Sequence, residues 1–246
     1  MDFEGVHDGK VAVVLGGSRG IGAAIVERLA MDGARVVFTY AASPEPARAL
    51  EARLKGAGCE AVCLEADSGD ADQVTAAIEA AIALFGRLDI LVVNAGILRT
   101  APIDRYALED FDRVMAVNVR GVFVALRHAA SRMSDGGRII TIGSNIAVRV
   151  GFPQASVYAL TKAAVAALVR GAAIDLGPRG ITVNNIQPGP TATDLTAGSQ
   201  DMILPLIPVG RLGRPSEISG LVSYLAGGEA GFITGASLTI DGGASA

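Results

Sequence analysis

The chain alternates short, continuously apolar segments with longer segments in which apolar residues recur at helical spacing. Runs such as Val11–Leu15 and Ile90–Val93 are apolar at every position, which is typical of strands buried on both faces of a parallel sheet. The pattern predicts strands over Val11–Leu15, Arg35–Tyr40, Ala61–Leu64, Ile90–Val93, Arg138–Ile142, Thr182–Ile186 and Ser237–Ile240. It predicts helices between them, near residues 20–32, 45–56, 70–86, 107–133, 155–177 and 215–226.

This alternation of strand and helix predicts the fold class. Strands that are each followed by a helix favour a parallel sheet, and right-handed crossovers place the helices on both of its faces. We therefore expect an α/β protein, a single doubly wound Rossmann domain over residues 1–246 with a seven-stranded parallel sheet. The one irregular stretch, 188–215, is rich in Pro, Gly and Thr, and we expect a substrate lid near residues 190–214.

Composition narrows the class of protein further. Half of the 246 residues are hydrophobic and 19% are charged, so the chain can bury a large core. The net charge of −4, without a Lys/Arg-rich run, argues against nucleic acid or a membrane as a partner. The first residues lack the pattern of a signal peptide, and we expect a cytoplasmic protein. Two Cys and two distant His do not have metal-site spacing, so no metal is expected.

A glycine-rich loop follows the first predicted strand and leads directly into a helix. Its sequence, Gly16-Gly17-Ser18-Arg19-Gly20-Ile21-Gly22, is a variant of the dinucleotide-binding fingerprint. Glycines here permit a tight turn and a close approach of the backbone to a pyrophosphate, which then lies at the helix N-terminus. A glycine loop alone is weak evidence, because any tight turn could use it. Its place between a buried strand and a helix favours a dinucleotide site.

The end of the second predicted strand bears on the choice of cofactor. An acidic residue there would hold the ribose 2′-hydroxyl of NAD, but Tyr40 occupies the position. Arg19 in the glycine loop could instead contact a 2′-phosphate, assisted by the Ser43 hydroxyl. The sequence therefore predicts NADP(H), and the alternative is that Arg19 is merely solvated.

Further motifs occur in order along nearly the whole chain. They are GGSRGIG at 16–22, Asp67, Asn94-Ala95-Gly96, Asn118, Ser144, Tyr158 with Lys162, Pro188-Gly189 and a C-terminal Asp241-Gly242-Gly243. With these motifs the chain resembles the short-chain dehydrogenase/reductase family, including its 3-oxoacyl-carrier-protein reductases. Each motif alone is modest evidence, but their order and spacing together are specific.

The chain departs from the family pattern in three places. Leu15 stands where Thr is usual, so one hydrogen bond in the glycine turn should be missing. Val93 replaces the first Asn of a common Asn-Asn-Ala-Gly motif. Ser144 and Tyr158 are fourteen residues apart, one more than in many relatives, which could reshape the pocket wall near residues 149–152.

The resemblance implies which residues bind the cofactor. Asp67 would contact the adenine, Asn94-Ala95-Gly96 would line the adenosine side, and Thr193 would contact the nicotinamide carboxamide. The full predicted cofactor set is Gly16, Ser18, Arg19, Gly20, Ile21, Gly22, Tyr40, Ser43, Asp67, Ser68, Asn94, Ala95, Gly96, Tyr158, Lys162, Pro188, Gly189, Thr191 and Thr193.

The predicted chemistry is hydride transfer between the nicotinamide and a ketone or secondary alcohol. Tyr158 and Lys162 are four residues apart in a predicted helix and therefore share one face. The ammonium should lower the phenol pKa from ~10, so that Tyr158 exchanges a proton with the substrate oxygen. Ser144 would hydrogen-bond the same oxygen, and the resemblance implies that Asn118 ties Lys162 to a bound water. Each residue alone has an ordinary structural explanation; with the glycine loop they favour catalysis.

The residues around the predicted lid are apolar, which favours a hydrophobic carbonyl substrate such as a cyclic or aryl ketone or a 3-oxo ester. The predicted pocket residues are Leu98, Ile146, Phe152, Leu195, Ile203, Leu204 and Ile207. Arg149 could instead receive a carboxylate or phosphate. Two rival interpretations stay open: a nucleotide-binding regulatory protein on this fold without turnover, and an NADP-dependent alcohol or sugar dehydrogenase.

The predicted helices over 107–133 and 155–177 are apolar on more than one face, so they need burial beyond one contact with the sheet. Related enzymes pair such helices between subunits, and we therefore expect a homotetramer. The alternative is that the large core alone covers this surface.

Overall fold

A computed structural model of the chain describes residues 5–198 and 200–246. Residues 1–4, which carry part of the prediction about a signal peptide, and Ser199 in the predicted lid lie outside the described residues. The strands are β1 (Val11–Leu15), β2 (Arg35–Tyr40), β3 (Ala61–Glu65), β4 (Ile90–Val93), β5 (Arg138–Ile142), β6 (Thr182–Pro188) and β7 (Ser237–Ile240). They form a parallel sheet in the order β3-β2-β1-β4-β5-β6-β7, which confirms the predicted seven-stranded sheet.

Helices connect the strands and cover both faces of the sheet. They are α1 (Gly20–Met31), α2 (Pro44–Gly56), α3 (Ala71–Phe85), α4 (Leu108–Met115), α5 (Gly121–Arg132), α6 (Ser156–Leu176), α7 (Gln200–Ile203) and α8 (Pro215–Ala226). Each region predicted to be helical contains a helix, and the doubly wound α/β fold is confirmed.

The sheet is buried on both faces, as the continuous apolar runs predict. On β1, Ala12 and Val14 lie in the core beneath α1, α2 and α8, whereas Val13 and Leu15 lie in the core beneath α3, α5 and α6. Successive strand side chains point to opposite faces, so a strand covered on both sides needs an apolar residue at every position. All residues of β1 and of β4 are buried accordingly.

The region predicted as one helix over 107–133 is interrupted by a wider turn. A π-helical segment, Ala116–Arg120, separates α4 from α5, and the Gly121 N–H donates to the Ala116 carbonyl, five residues back. A Cβ atom on Gly121 would lie 2.0 Å from the Ser68 carbonyl oxygen, so this close approach requires glycine. Single π turns are frequent at functional sites, and this one contains Asn118.

Helix α6 is apolar because it is a core helix. With the turn that follows it, over Ser156–Arg179, it is long and apolar enough to cross a membrane by length and composition alone. Its residues Val165, Val169 and Ala173 are nevertheless buried against the sheet. Packing inside the protein therefore accounts for the apolar character of one face of α6.

The predicted lid is anchored at its two ends. Thr191 and Gly213 form an isolated parallel bridge, and the Gly213 N–H donates to the Pro190 carbonyl at 3.0 Å. Short helical turns over Asp194–Thr196 and Leu204–Leu206 lie on either side of α7. The prediction of a wholly irregular stretch is therefore wrong, because local backbone hydrogen bonds make part of the segment helical.

Candidate functional site

The glycine loop is held by the strand beside it. The Gly16 N–H donates to the Thr39 hydroxyl at 2.9 Å, and the Gly17 N–H donates to the Thr39 carbonyl at 2.8 Å. Thr39 is buried on β2 and its contribution was not predicted. Leu15 itself is buried in the core and offers the turn no hydrogen bond, whereas the Thr39 hydroxyl of the neighbouring strand contacts the turn.

The segment after β4 packs directly against this loop. Asn94 Nδ2 donates to the Gly16 carbonyl at 2.6 Å, and the Ala95 N–H donates to the Leu15 carbonyl at 2.8 Å. A Cβ atom on Gly22 would lie 2.0 Å from the Gly16 carbonyl oxygen. Glycine is thus required at position 22, because the loop brings this residue close to the Gly16 carbonyl. Asn94 fixes the loop through its bond to the same carbonyl.

The N-terminus of α1 suits a pyrophosphate. It begins at Gly20, and among the described residues no side chain caps it at Arg19. The first N–H groups of the helix are therefore open to an anionic ligand. Thr193 lies across the groove, with its Cγ2 atom 3.2 Å from where a Cβ on Gly20 would be. The cradle has the shape and the donors that a dinucleotide needs, and Ser18 and Ile21 are half-buried along it.

The predicted adenine end combines accessible and buried residues. Asp67 accepts from the Gly69 N–H at 2.8 Å and forms an ion pair with Arg113 at 2.9 Å. Tyr40, which we predicted as a cofactor contact, is instead packed in the core beneath α1 and α2. Its ring lies in that core because alternate residues of β2 point to it. Ser43 is half-buried at the start of α2.

Arg19 extends from the glycine loop into solvent. Its side chain is 69% exposed and lies 3.9 Å from Asp194 in the first turn of the lid. An exposed pair at this distance contributes little to stability, so the guanidinium can turn to another anion at small cost. Ser68, by contrast, is buried, and its carbonyl packs against Gly121.

Three of the predicted catalytic residues meet at the carboxyl ends of β5 and β6. Ser144 lies two residues beyond β5, and its hydroxyl is near enough to the Tyr158 phenol to act on the pKa of that group. The Lys162 Nζ atom is 5.6 Å from the centre of the Tyr158 ring and donates to the Ile142 carbonyl at 3.0 Å. The three residues are distant in sequence but close in space, because α6 packs against β6, which lies beside β5.

Burial governs the pKa values of Tyr158 and Lys162. Burial raises the pKa of Tyr158 to about 12, although the Ser144 hydrogen bond acts in the opposite direction. Burial likewise lowers the pKa of Lys162 to about 8. Without a cofactor, loss of hydration therefore dominates the pKa of both groups, and the predicted lowering of the phenol pKa by Lys162 together with a bound oxidised nicotinamide stays a prediction.

Asn118 is placed beside this group by the π turn, and its side chain binds the backbone of the segment after β4. Its Oδ1 accepts from the Ile97 N–H and its Nδ2 donates to the Ile97 carbonyl, both at 2.8 Å. A further contact of 3.3 Å reaches the Thr161 hydroxyl. The amide thus fixes the chain after Gly96, which itself lies close to both Lys162 and Asn118. The predicted tie from Asn118 to Lys162 through a bound water stays a prediction.

Comparisons with known proteins agree with this geometry. The sequence profile of a family described as enoyl-(acyl carrier protein) reductase matches residues 16–245. The solved structure of a short-chain dehydrogenase/reductase from Serratia marcescens is 54% identical, covers 98% of this chain and 99% of its own, and has a TM-score of 0.95.

The chain belongs to the short-chain dehydrogenase/reductase family.

Two other relatives bear on cofactor and function. A short-chain dehydrogenase from Burkholderia cenocepacia, solved in complex with NADP, is 45% identical over 98% of this chain and 99% of its own, with a TM-score of 0.95. The cyclic-di-GMP-binding biofilm dispersal mediator protein of Escherichia coli K12 is 44% identical over 97% of this chain and 98% of its own. Members of the family are thus similar to this chain along their whole length.

In this dehydrogenase/reductase the predicted substrate-pocket residues fall into two groups. Ile146 is buried with Ala155 and Ala159 beneath Tyr158, and Ile207 is buried against Gly242. Both side chains are 4% exposed, so neither presents an open surface in this structure. The exposed or half-buried members, which remain candidates for substrate contact, are Leu98, Phe152, Leu195, Ile203 and Leu204.

The loops at the nicotinamide end are tied to the sheet. The Gly189 N–H donates to the Ile240 carbonyl at 3.0 Å, and Pro188 is the last residue of β6. Thr191 is buried, and its hydroxyl donates to the Gly189 carbonyl at 3.0 Å. These contacts hold the segment from Pro188 to Thr193 in one conformation beside the predicted catalytic residues.

We predict that Thr39→Val weakens cofactor binding. The variant keeps the shape of the side chain but leaves the Gly16 N–H without its hydroxyl partner, so the loop must shift. The dissociation constant for NADPH, measured by fluorescence titration, should rise about tenfold, or ~1.4 kcal/mol. Thr39→Ser is the matched control, because it retains the hydroxyl and should bind normally. Equal affinity of the Val variant and the unmodified protein would contradict this role.

Proposed function

We propose that this chain is an NADP(H)-dependent carbonyl reductase that acts on an apolar ketone or 3-oxo compound. The observation that carries the proposal is the meeting of Ser144, Tyr158 and Lys162 next to a glycine loop built for a dinucleotide. A protein that only binds a nucleotide needs no buried phenol beside a buried ammonium. Membership of the family identifies the chain as an oxidoreductase. The substrate class and the role of each residue are what we propose.

The residues present fit the cofactor. The α1 N-terminus and Gly16–Gly22 would hold the pyrophosphate, Asp67 would hold the adenine, and Pro188–Thr193 would lie along the nicotinamide. When bound, the reduced nicotinamide supplies the hydride. Arg19 is free to turn to a 2′-phosphate, and β2 ends without a carboxylate, which supports NADP(H) over NAD(H). The NADP complex of the Burkholderia relative supports the same choice.

The protonation of the site favours reduction. A phenol with a pKa of about 12 keeps its proton at neutral pH, so Tyr158 is ready to donate it to the oxygen of a carbonyl. The Ser144 hydroxyl would hydrogen-bond the same oxygen and hold the carbonyl in place. Lys162, with a pKa of about 8, is protonated at pH 7, and its charge would stabilise the phenolate that remains.

The apolar side chains around the lid support the substrate class. Phe152 and Leu195 are exposed, and Leu98 is half-buried after β4, on the side of the sheet where the catalytic residues lie. Side chains of this kind gain by covering an apolar ketone. We propose a cyclic or aryl ketone or a 3-oxo ester as the substrate class.

We also propose that the protein is a cytoplasmic homotetramer. Exposed apolar side chains lie on α5 and α6, namely Phe123, Leu160 and Ile174. Large apolar groups on neighbouring helices favour pairing between subunits.

A second candidate function rests on the Escherichia coli relative, whose name describes a cyclic-di-GMP-binding mediator of biofilm dispersal. By analogy, this chain would bind a cyclic dinucleotide as a regulator. The glycine loop and Arg19 could receive phosphates of either ligand. The presence of the complete Asn118, Ser144, Tyr158 and Lys162 set favours the reductase.

We predict that Tyr158→Phe lowers kcat for ketone reduction on the order of 10²- to 10⁴-fold, because it removes the acid while keeping the ring. NADPH affinity should stay within about twofold, since the hydroxyl is not a main contact of the cofactor. The measurement is steady-state NADPH consumption with the best ketone from a screen. Undiminished turnover of the variant refutes the acid. Tight binding of cyclic di-GMP with no turnover of any ketone by the unmodified protein would favour the regulator.

We predict that Arg19→Ala reduces the preference for NADPH over NADH. The loss of a charge-assisted contact to the 2′-phosphate should lower kcat/KM for NADPH about 10- to 100-fold and leave the value for NADH nearly unchanged. Arg132→Ala at the end of α5 is the control, because it removes the same charge from a helix on the other face of the sheet. An equal fall in kcat/KM for NADPH and for NADH would show that Arg19 does not bind the 2′-phosphate.

We predict that the protein sediments as a tetramer of its 25.0 kDa chain. Sedimentation velocity at micromolar concentration measures this directly. Phe123→Glu should shift the protein to smaller species, because a charge at an apolar contact is costly to bury. Sedimentation of both the unmodified protein and the Phe123→Glu variant as monomers would contradict the proposed tetramer.

A further inference from the structure

The residue that follows the catalytic serine makes a long-range contact that the reaction scheme does not use. Asn145 begins a short helical turn, Asn145–Ala147, directly after Ser144. Its Nδ2 atom donates to Asp241 Oδ2 at 3.2 Å and to the Ser245 hydroxyl at 3.1 Å. The two partners belong to the C-terminal segment after β7. A residue adjacent to the active serine is therefore tied to the far end of the chain.

Asp241 lies between two loops of the site. Its other oxygen, Oδ1, accepts from the Gly243 N–H at 3.0 Å, so both oxygens have donors. A Cβ atom on Gly189 would lie 2.4 Å from the Asp241 Cβ atom, which shows how closely the two backbones approach. Asp241 thus contacts the loop after Ser144 through its carboxylate and packs against Gly189 through its Cβ atom and backbone.

The charge of Asp241 is maintained by its neighbours. Burial opposes ionisation, but hydrogen bonds from Ser245, Asn145 and Gly243 together lower the pKa of Asp241 below its ordinary value. A second tie joins the same two segments, since Arg149 donates to the Ala244 carbonyl at 3.1 Å. The C-terminal turn and the Ser144 loop are therefore held together at two points.

The Ser144 hydroxyl depends on this turn for its direction. Its Oγ atom accepts from the Ile146 N–H at 3.3 Å, inside the turn that Asn145 begins. Movement of the turn would carry the hydroxyl with it, and a shift of about 1 Å in a catalytic group can cost on the order of 10²-fold in rate. Nothing else in the proposed chemistry requires a carboxylate at 241.

We infer that Asn145 and Asp241 are positioning residues, and that their hydrogen bond sets the Ser144 hydroxyl against the substrate oxygen. This inference rests on the proposed reductase function for its kinetic consequence. It also assigns a role to the Asp241-Gly242-Gly243 motif, which the cofactor and acid–base residues leave unexplained. The C-terminal turn then acts on the rate of reduction through Ser144, without contact to the substrate.

The chemistry of the pair permits a swap test. In Asn145→Asp two carboxylates would face each other, and in Asp241→Asn an amide N–H₂ would face either Asn145 Nδ2 or the Gly243 N–H. In the double variant Asn145→Asp/Asp241→Asn the roles are exchanged. The amide at position 241 can donate to the carboxylate at position 145 and still accept from Gly243, and the Ser245 hydroxyl can donate to position 145.

The experiment compares the unmodified protein, both single variants and the double variant. Each single variant should lower kcat about 10- to 100-fold with NADPH affinity within about twofold, and the double variant should recover most of the loss. Asp135→Asn is the control, because it removes an exposed carboxylate before β5, at the opposite end of that strand, and should not change kcat.

Urea unfolding of each variant separates positioning from stability. A purely structural role predicts that kcat of the folded fraction stays normal, and that result would overturn the inference. So would a double variant no more active than the single ones.

Crystal structures of the four proteins supply a readout that does not need turnover. The turn after Ser144 should be displaced in each single variant and restored in the double variant. If the unmodified protein reduces no ketone, the proposed function fails while these structures still decide the positioning role. An undisplaced Ser144 hydroxyl in both single variants would refute it.

Discussion

The parallel alignment of the four central strands is the constraint on which the site depends. Because β1, β4, β5 and β6 run in the same direction, their carboxyl ends lie at one edge of the sheet. The glycine loop, the Asn94 segment, Ser144 and Pro188 each follow one of these ends. If one of these strands ran in the opposite direction, the group that follows it would lie at the other edge of the sheet, away from the rest. Burial of the sheet on both faces holds this alignment, and the apolar runs of the strands supply that burial.

Burial also decides the electrostatics of the catalytic pair. Tyr158 and Lys162 are close together, but both side chains lose hydration. Each pKa therefore shifts in the direction that favours the uncharged form of the group. A phenol that holds its proton is suited to donate it, so the site by itself favours the acid form used in reduction. The attraction between phenolate and ammonium gains importance only once the proton has left. Burial and charge thus act at different stages of one proton transfer.

The loops of the site are fixed by partners that are distant in sequence. Thr39 on β2 holds the start of the glycine loop, Asn118 in the π turn holds the chain at Ile97, and Asp241 contacts Asn145 beside the active serine. Each tie is a polar group that satisfies a backbone or side-chain partner which would otherwise be unpaired. The geometry of the candidate site is a property of these ties as much as of the residues proposed to react.

The sequence by itself determined the fold class, the strand positions and the glycine loop, and it supplied the candidate catalytic residues, because apolar periodicity and residue spacing are local and survive in one dimension. It did not determine the π turn at Asn118, the burial of Tyr40 and Ile146, the partner of Gly16 or the high pKa of Tyr158. Those features depend on which residues meet across the sheet and on how much water they lose. Only the tertiary structure fixes such meetings, since they join segments with no periodic relation along the chain.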